Sequence, residues 1–255
     1  METYNYLFHE IIDKRTENLP LMSPAVPVII IGLYLLLVLK CLPKYMEKRK
    51  PYDLKTVVQC YNIIQIISCS TMVYGVCTSG WTFSKLTCWP IEYSYDYLPM
   101  RMLNCVWWTM ILKISDLIET IFFVLRKKDN QVSNLHLYHH TSTYFISWIM
   151  TKYVGGAMYT FPIIINSFIH VLMYTYYFLS ALGPQWRQRI NHLKPKLTML
   201  QMVQFCILLI YSAQVFYGDC DVSFGIAITF IIDVMVIFAF FINFYIKSYM
   251  CKKKK

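Results

Sequence analysis

The stretch His136-Leu-Tyr-His139-His140, written HLYHH, lies inside a segment whose other residues are mostly apolar. Three imidazoles at positions i, i+3 and i+4 share one face of a helix. Burying three titratable rings in an apolar helix costs free energy unless the rings find polar partners. We therefore expect the partners of this cluster to form the functional centre of the molecule.

The composition predicts an all-α integral membrane protein. The chain has 255 residues, of which 57% are hydrophobic and only 15% are charged, whereas soluble domains are about 25% charged. Seven apolar segments approach the length that a helix needs to cross a bilayer. We expect residues 1–255 to form one domain of seven transmembrane helices. The predicted spans are residues 25–41, 54–77, 101–125, 135–151, 158–182, 197–217 and 224–246.

The placement of basic residues predicts the orientation of the chain. Counting Lys40 and Lys55 at the adjoining span ends, eighteen of the 24 Lys and Arg residues lie in the segments after spans 1, 3 and 5 and in the tail. Basic loops stay on the cytosolic side, so residues 1–24 form a luminal tail and residues 247–255 a cytosolic basic tail. The net charge of +10 is then a topology signal that faces lipid headgroups, and it does not indicate a nucleic-acid partner.

The chain ends in four lysines, of which Lys252 and Lys253 occupy the −4 and −3 positions of a dilysine retrieval signal. Such a signal is an address that a receptor reads, and it predicts the endoplasmic-reticulum membrane. A basic cap at the cytosolic membrane edge is the alternative interpretation of the same lysines.

Two of the nine cysteines fall in loops that the topology assigns to the oxidising side, namely Cys88 and Cys220. A disulfide between them would join the loop after span 2 to the loop after span 6. Cys77 is the competing partner.

Spans 3 to 6 each carry a stripe of polar residues at helical spacing. From a rise of ~1.5 Å per residue, all of these residues lie in the cytosolic half of the membrane or near its middle. The luminal half of the same spans is apolar. A polar pocket that continues into an apolar tunnel is suited to bind an amphiphile with a charged head and a long alkyl tail. The stripes comprise Lys113, Asp116 and Glu119; His136, His139 and His140; Asn166, His170, Tyr174 and Tyr177; and Thr198, Gln201 and Gln204.

Histidine clusters serve either as metal ligands or as acid–base and nucleophilic groups. A di-iron site of the membrane desaturase type needs more histidines than this chain has, since His9 and His192 lie outside the spans and only four of six remain. A single zinc or iron site stays open, but imidazole catalysis without a tightly bound cofactor is the simpler interpretation. A seven-span receptor or transporter is the non-enzymatic alternative, although no pair of broken helices supports it.

Four motifs in order give a specific resemblance: KISDLIETIFFVLRKK from Lys113, HLYHHTSTYFISW from His136, NSFIHVLMYTYYFLSALGP from Asn166 and LTMLQMVQF from Leu197. Together they resemble the ELO family of very-long-chain fatty-acid elongases. The resemblance implies that spans 2–7 form a helical barrel around an acyl tunnel closed on the luminal side, with span 1 peripheral. It implies a 3-ketoacyl-CoA synthase that condenses a fatty acyl-CoA with malonyl-CoA and releases CoA and CO₂.

The resemblance also implies catalytic roles. His139 is the nucleophile that forms an acyl-imidazole, and His136 and His140 orient or activate it. Asn166 and His170 stabilise the developing oxyanion or enolate charge.

The remaining predicted site residues hold substrate. Basic cytosolic residues fit CoA phosphates, and they fit anionic membrane lipid equally well. Preferred chain length, homodimerisation and association with other enzymes of the elongation cycle stay open. The group near the thioester comprises Lys113, Asp116, Glu119, Tyr174, Tyr177, Gln201 and Gln204, and the basic group comprises Arg126, Lys127, Lys128, Arg187 and Arg189.

One motif departs from the family pattern. The span 3 box of the family is usually KxxExxDT, whereas this chain has Asp116 in place of the Glu and Glu119 in place of the Asp. The exchange of one methylene shifts the reach of each carboxylate by ~1.5 Å, so the hydrogen-bond partners of both acids are in question.

Overall fold

A computed structural model describes residues 11–217, 220 and 222–251, without the side chains of residues 84 and 85. The predicted retrieval lysines Lys252 and Lys253 lie outside the described residues. Within the described residues the regular structure is entirely helical, as predicted. The main helices are α1 (Ala25–Met46), α2 (Lys55–Thr78), α3 (Tyr97–Asp116), α4 (Ile118–Leu125), α5 (Asn134–Tyr153), α6 (Thr160–Leu182), α7 (Pro184–Ile190), α8 (Leu193–Ser212) and α9 (Phe224–Tyr245).

Within the described residues, 5 helical segments are long and apolar enough to cross a membrane, and they contain α1, α2, α6, α8 and α9. The chain is therefore a multi-pass membrane protein. Helices α3 and α5 occupy the predicted spans 3 and 4 and have 20 residues each. They fall outside this apolar set because they carry the ionisable residues of the first two motifs, so the predicted count of seven rests on the sequence pattern.

The third predicted span is two helices and not one. At Leu117 the backbone N–H donates to the carbonyl of Ile114, three residues back, at 3.2 Å, and this tighter turn separates α3 from α4. Leu117 itself is buried against Tyr34 and Val38 of α1. The two acids of the span 3 motif consequently lie on different helices, with Asp116 at the end of α3 and Glu119 at the start of α4.

Two further differences from the predicted bounds have simple causes. The basic loop 183–196 contains the short helix α7, which begins at Pro184, a residue that suits a first helical turn. Within α1, residues Leu37–Cys41 form a π-helical turn. Pro43 lies two positions after this turn and has no N–H to donate to the carbonyl four residues earlier.

Six helices form a closed ring of contacts in the order α2, α3, α5, α9, α8, α6 and back to α2. Helix α1 lies outside the ring, against α4 and α5. On α9, Asp233 is buried and accepts a hydrogen bond from the Tyr138 hydroxyl of α5 at 3.1 Å, so this acid joins two neighbouring helices of the ring. Such a ring encloses the side chains that face its centre.

The segment before α1 is bound tightly to one end of the ring. Asp13 and Arg15 are both buried and form an ion pair at 2.6 Å. Arg15 Nη1 also donates to the Glu92 carbonyl at 2.7 Å, and the Asp13 N–H donates to the Lys152 carbonyl at 3.0 Å. The ion pair therefore connects the N-terminal segment to the loop after α2 and to the end of α5.

Two tryptophan side chains hold the next turn of the same segment. Trp148 of α5 donates to the Leu21 carbonyl at 3.1 Å, and Trp107 of α3 donates to the Pro20 carbonyl at 3.0 Å. Each indole N–H thereby satisfies a backbone acceptor that the apolar surroundings would otherwise leave unpaired.

The structure also joins Cys88 and Cys220 in a disulfide, with 5.3 Å between their Cα atoms. Cys77, the competing partner in the sequence analysis, is an exposed free thiol. The bridge ties the loop after α2 to the loop before α9, at the same end of the ring as Arg15.

Replacement of Asp13 by alanine should leave the Arg15 charge buried without its ion pair. Breaking one partner of a buried pair removes about 3 kcal/mol from the free energy of unfolding, so the melting temperature in detergent should fall clearly. Glu17→Ala, which removes an exposed carboxylate from the same segment, is the matched control. Equal melting temperatures for the two variants would contradict the structural role of the ion pair.

Candidate active site

The three histidines of HLYHH lie in the first two turns of α5. Ser133 caps this helix, and its hydroxyl accepts a hydrogen bond from the His136 N–H at 3.2 Å, which is the usual role of serine at this position. The ring centroids of His136 and His140 are 4.0 Å apart, and those of His139 and His140 are 5.3 Å apart. The helix therefore presents the rings as one group, as predicted from their spacing.

His136 is fixed by a chain of hydroxyl groups. Its Nε2 lies 2.9 Å from Thr120 Oγ1, and that oxygen lies 2.6 Å from the Tyr34 hydroxyl. The chain links α5 to α4 and to α1, outside the ring. Because a threonine hydroxyl both donates and accepts, the tautomer of His136 is coupled to the direction of the Tyr34 hydroxyl.

His140 faces Glu119 of α4. The two side chains approach to 3.8 Å between Nε2 and Oε2, and His140 Nδ1 has no hydrogen-bond partner among the described residues. Ligand atoms of Glu119, His136 and His140 all lie within 4.8 Å of one another. Two imidazoles and one carboxylate are a donor set that zinc or iron accepts, so the metal alternative has a defined location.

His139 has neither a hydroxyl nor a carboxylate partner for its ring nitrogens within residues 11–217, 220 and 222–251, whereas His136 bonds to Thr120 and His140 faces Glu119. The ring packs beside Phe241 of α9, with 6.3 Å between centroids, and Lys113 and His136 act on it electrostatically. A half-buried imidazole with free nitrogens is available to react with a bound molecule.

A second polar group surrounds Lys113 of α3. The ammonium group donates to Asp116 Oδ2 at 3.3 Å and to Asn166 Oδ1 of α6 at 3.0 Å. Asp116 Oδ1 accepts a further hydrogen bond from the Tyr174 hydroxyl at 3.2 Å. Tyr174 also interacts with Glu119, so its hydroxyl connects the Lys113 group to the histidine group.

His170 lies between the two groups. It is buried one turn before Tyr174 on α6, with 5.7 Å between the ring centroids. Both Lys113 and His139 act on it electrostatically. The structure thus brings residues of the first three motifs together across α3, α4, α5 and α6.

The sequence analysis did not identify Gln65 of α2. Its side chain is 1% exposed, and its Nε2 lies 2.9 Å from Asp116 Oδ1, 3.0 Å from Ser115 Oγ and 2.7 Å from the Tyr61 hydroxyl. The signal that could have found it is a lone amide in the run Ile63-Ile64-Gln65-Ile66-Ile67, because a polar side chain in such a run needs an internal partner.

Three predicted residues make no hydrogen bond, ion pair or ring contact with the histidines in the described structure. Gln204 is buried on α8, and Gln201 Nε2 lies 3.5 Å from the Met173 sulfur. Tyr177 packs edge-on against Tyr174, with 6.1 Å between centroids, and is 40% exposed. The fourth motif therefore borders the site.

The predicted basic residues lie at the ends of helices on the histidine side of the ring. Arg126 is half-buried, whereas Lys127, Lys128, Arg187 and Arg189 are exposed. Lys127 Nζ approaches the Glu47 carbonyl at 3.4 Å. These basic side chains are accessible to bind a polyanion from the solvent or from the membrane surface.

A small apolar cavity of about 40 Å³ lies at the opposite end of α5 from the histidines. His139 and Met150 are eleven positions apart on α5, so the rise of an α-helix separates them by roughly 15 Å. The polar groups and the cavity thus lie at different depths inside the same ring. The cavity is lined by Met150, Val154, Met158, Tyr159, Pro162, Tyr211, Ser212, Val215, Val222, Ala227 and Phe230.

Comparison with known proteins confirms the resemblance seen in the motifs. The model of the ELO family, described as the GNS1/SUR4 family, matches residues 19–255. The chain is 37% identical over 246 residues to very long chain fatty acid elongase 7 of Drosophila melanogaster, a match that covers 95% of this chain and 74% of the relative.

Two mammalian proteins are similarly close. Very long chain fatty acid elongase 7 of Rattus norvegicus is 38% identical over 241 residues, covering 93% of this chain and 85% of the relative. Very long chain fatty acid elongase 4 of Homo sapiens is 35% identical over 258 residues, covering 100% and 81%. The chain therefore belongs to the ELO (GNS1/SUR4) family.

Proposed function

We propose that this protein is a fatty acid elongation enzyme of the 3-ketoacyl-CoA synthase type. It condenses a long-chain fatty acyl-CoA with malonyl-CoA and gives 3-ketoacyl-CoA, CoA and CO₂. The observation that carries the proposal is the position of His139, an imidazole with free nitrogens between two fixed polar groups. An apolar cavity lies further along the same helix, and family membership supports the same reaction.

In the first step a free nitrogen of His139 attacks the thioester carbonyl of the acyl-CoA. The C–S bond breaks, the imidazole loses its N–H proton to the departing thiolate, and the products are an acyl-imidazole and CoA thiol. An acyl-imidazole remains reactive enough to be discharged in a second step. The neighbouring rings of His136 and His140, 4.0 Å apart, orient the nucleophile and relay its proton.

In the second step malonyl-CoA loses CO₂, and the electron pair of the broken C–C bond forms an enolate. The enolate carbon attacks the acyl carbon, the bond to His139 breaks, and the imidazole recovers one proton from solvent. The condensation therefore consumes one proton overall and needs no oxidant or reductant.

The Lys113 group supplies positive charge and donors where negative charge develops. Lys113 holds the Asn166 carbonyl oxygen at 3.0 Å, which orients the amide NH₂ of Asn166 away from the lysine. That NH₂ and the His170 ring are our assignments for stabilising the oxyanion and the enolate, since preorganised donors of this kind are effective in a site without water. Asp116 neutralises Lys113, and Glu119 orients His140.

The overall arrangement proposed here is one domain of seven spans in the endoplasmic-reticulum membrane, with a luminal N-terminus and a cytosolic C-terminus. Helices α3–α4 and α5 then count as the third and fourth spans. The acyl chain extends from His139 into the apolar cavity, and the exposed basic residues at the helix ends receive the CoA phosphates. Gln201 and Gln204 border the path of the thioester.

Replacement of His139 by alanine should abolish condensation while leaving the fold intact. Loss of a covalent nucleophile lowers kcat by roughly 10³-fold or more, and the release of ¹⁴CO₂ from labelled malonyl-CoA with a long-chain acyl-CoA measures it. His192→Ala is the matched control because His192 is exposed in the loop between α7 and α8. Full turnover by His139→Ala would exclude His139 as the nucleophile.

The metal alternative predicts a different set of results. If imidazole catalysis is correct, purified active protein should contain no stoichiometric zinc or iron, and treatment with a chelator should leave kcat unchanged. Elemental analysis and the activity after dialysis measure both. One metal ion per chain that Glu119→Gln removes together with activity would favour the cluster of Glu119, His136 and His140 as a metal centre.

Filling the apolar cavity should shorten the products. Ala227 lines the cavity, so Ala227→Phe places a ring where the end of an acyl chain would lie. We expect the longest product to lose one or more two-carbon additions when a ladder of acyl-CoAs is supplied. Ala239→Phe, on the exposed side of the same helix, is the control, and an unchanged product distribution in Ala227→Phe would show that the chain does not enter this cavity.

A further inference from the structure

We infer that Gln65 of α2 is a positioning residue for the condensation, an inference that rests on the function proposed above. Its amide nitrogen lies 2.9 Å from Asp116 Oδ1, and its side chain is 1% exposed. It makes no contact with the histidines in the described structure. Any effect of Gln65 on the reaction therefore passes through Asp116.

The Asp116 carboxylate accepts hydrogen bonds from side chains on three helices. Lys113 of α3 donates to its Oδ2, while Gln65 of α2 and Tyr174 of α6 donate to its Oδ1. A carboxylate accepts several hydrogen bonds in this way. With both oxygens engaged, Asp116 is held in one rotamer, and the Lys113 ammonium is held 3.0 Å from Asn166 Oδ1.

The short side chain of Asp116 explains why a donor as long as glutamine is needed on α2. Asp116 stands where the family pattern usually has the longer glutamate, so its carboxylate lies closer to α3. Gln65 reaches across from the neighbouring helix α2, which packs against α3, and brings a donor to that carboxylate. The longer side chain of Gln65 on α2 thereby compensates for the shorter side chain of Asp116 on α3.

Packing alone does not account for an amide at this position. Gln65 Oε1 is buried without a hydrogen-bond partner among the described residues, and burying an unpaired acceptor is unfavourable. An apolar side chain of equal length would fill the same space and avoid that cost. The amide nitrogen, with acceptors on Asp116, Ser115 and Tyr61 around it, is the part of the residue that has a role.

The test replaces Gln65 by methionine, which keeps the length of the side chain and removes its donor. A hydrogen bond to a charged group is worth enough that kcat should fall about tenfold or more, while KM for the acyl-CoA changes less than about twofold because no substrate contact is lost. Gln59→Met is the matched control. Gln59 lies on the same helix and donates to the Ala181 carbonyl at 3.1 Å, away from Asp116.

A second variant separates positioning from general stability. Gln65→Asn shortens the donor by one methylene and should lower kcat, whereas adding Asp116→Glu lengthens the acid by one methylene and should recover kcat to within roughly threefold of wild type, because the amide again reaches the carboxylate. A purely structural role for the amide would show in the melting temperature without this recovery. Loss of the monodisperse protein in Gln65→Met would likewise assign Gln65 to stability and overturn the inference.

The remaining outcomes are also decisive. Equal kcat values for Gln65→Met and Gln59→Met would overturn the positioning role, as would a change confined to KM. Wild-type protein that forms no 3-ketoacyl-CoA would contradict the proposed function itself. Active wild-type protein with an unaffected Gln65→Met variant would contradict only the inference about Gln65.

Discussion

The buried ammonium of Lys113 is the constraint on which the centre of this protein depends. An uncompensated charge in an apolar interior is very unfavourable, so Lys113 requires the Asp116 carboxylate at 3.3 Å and the Asn166 oxygen at 3.0 Å. Those partners come from α3 and α6. The need to neutralise one charge therefore determines how two helices of the ring face each other.

The same requirement extends to the histidines. Tyr174 contacts Asp116 and also interacts with Glu119, which faces His140. His136 is held separately, through Thr120 and Tyr34. His139 has no hydroxyl or carboxylate partner in the described structure, whereas His136 bonds to Thr120 and His140 faces Glu119. In the mechanism proposed here, that difference separates the reactive imidazole from those that orient it.

Most of the helical framework was predictable from the sequence because long apolar runs leave few alternatives in a membrane. The convergence of Lys113, the histidines and Asn166 was also predictable, since helical spacing and depth bring them to one level. Gln65 was missed because the amides Gln59, Asn62 and Gln65, although at helical spacing, carry no charge that marks α2 as part of the site. The break at Leu117 was missed because no proline or glycine marks it. Both depend on how helices pack, which local sequence patterns do not encode.

The turn at Leu117 gives the lipid-facing helix α1 an unexpected part in the chemistry. A continuous helix would fix the angle between the Asp116 and Glu119 side chains around the helix axis. The break between α3 and α4 allows that angle to change. Leu117 is buried against Tyr34 and Val38, two of the few buried residues on α1. Helix α1 thus stabilises the connection between α3 and α4. Tyr34 and Val38 are the positions on this outer helix where substitutions should be least tolerated.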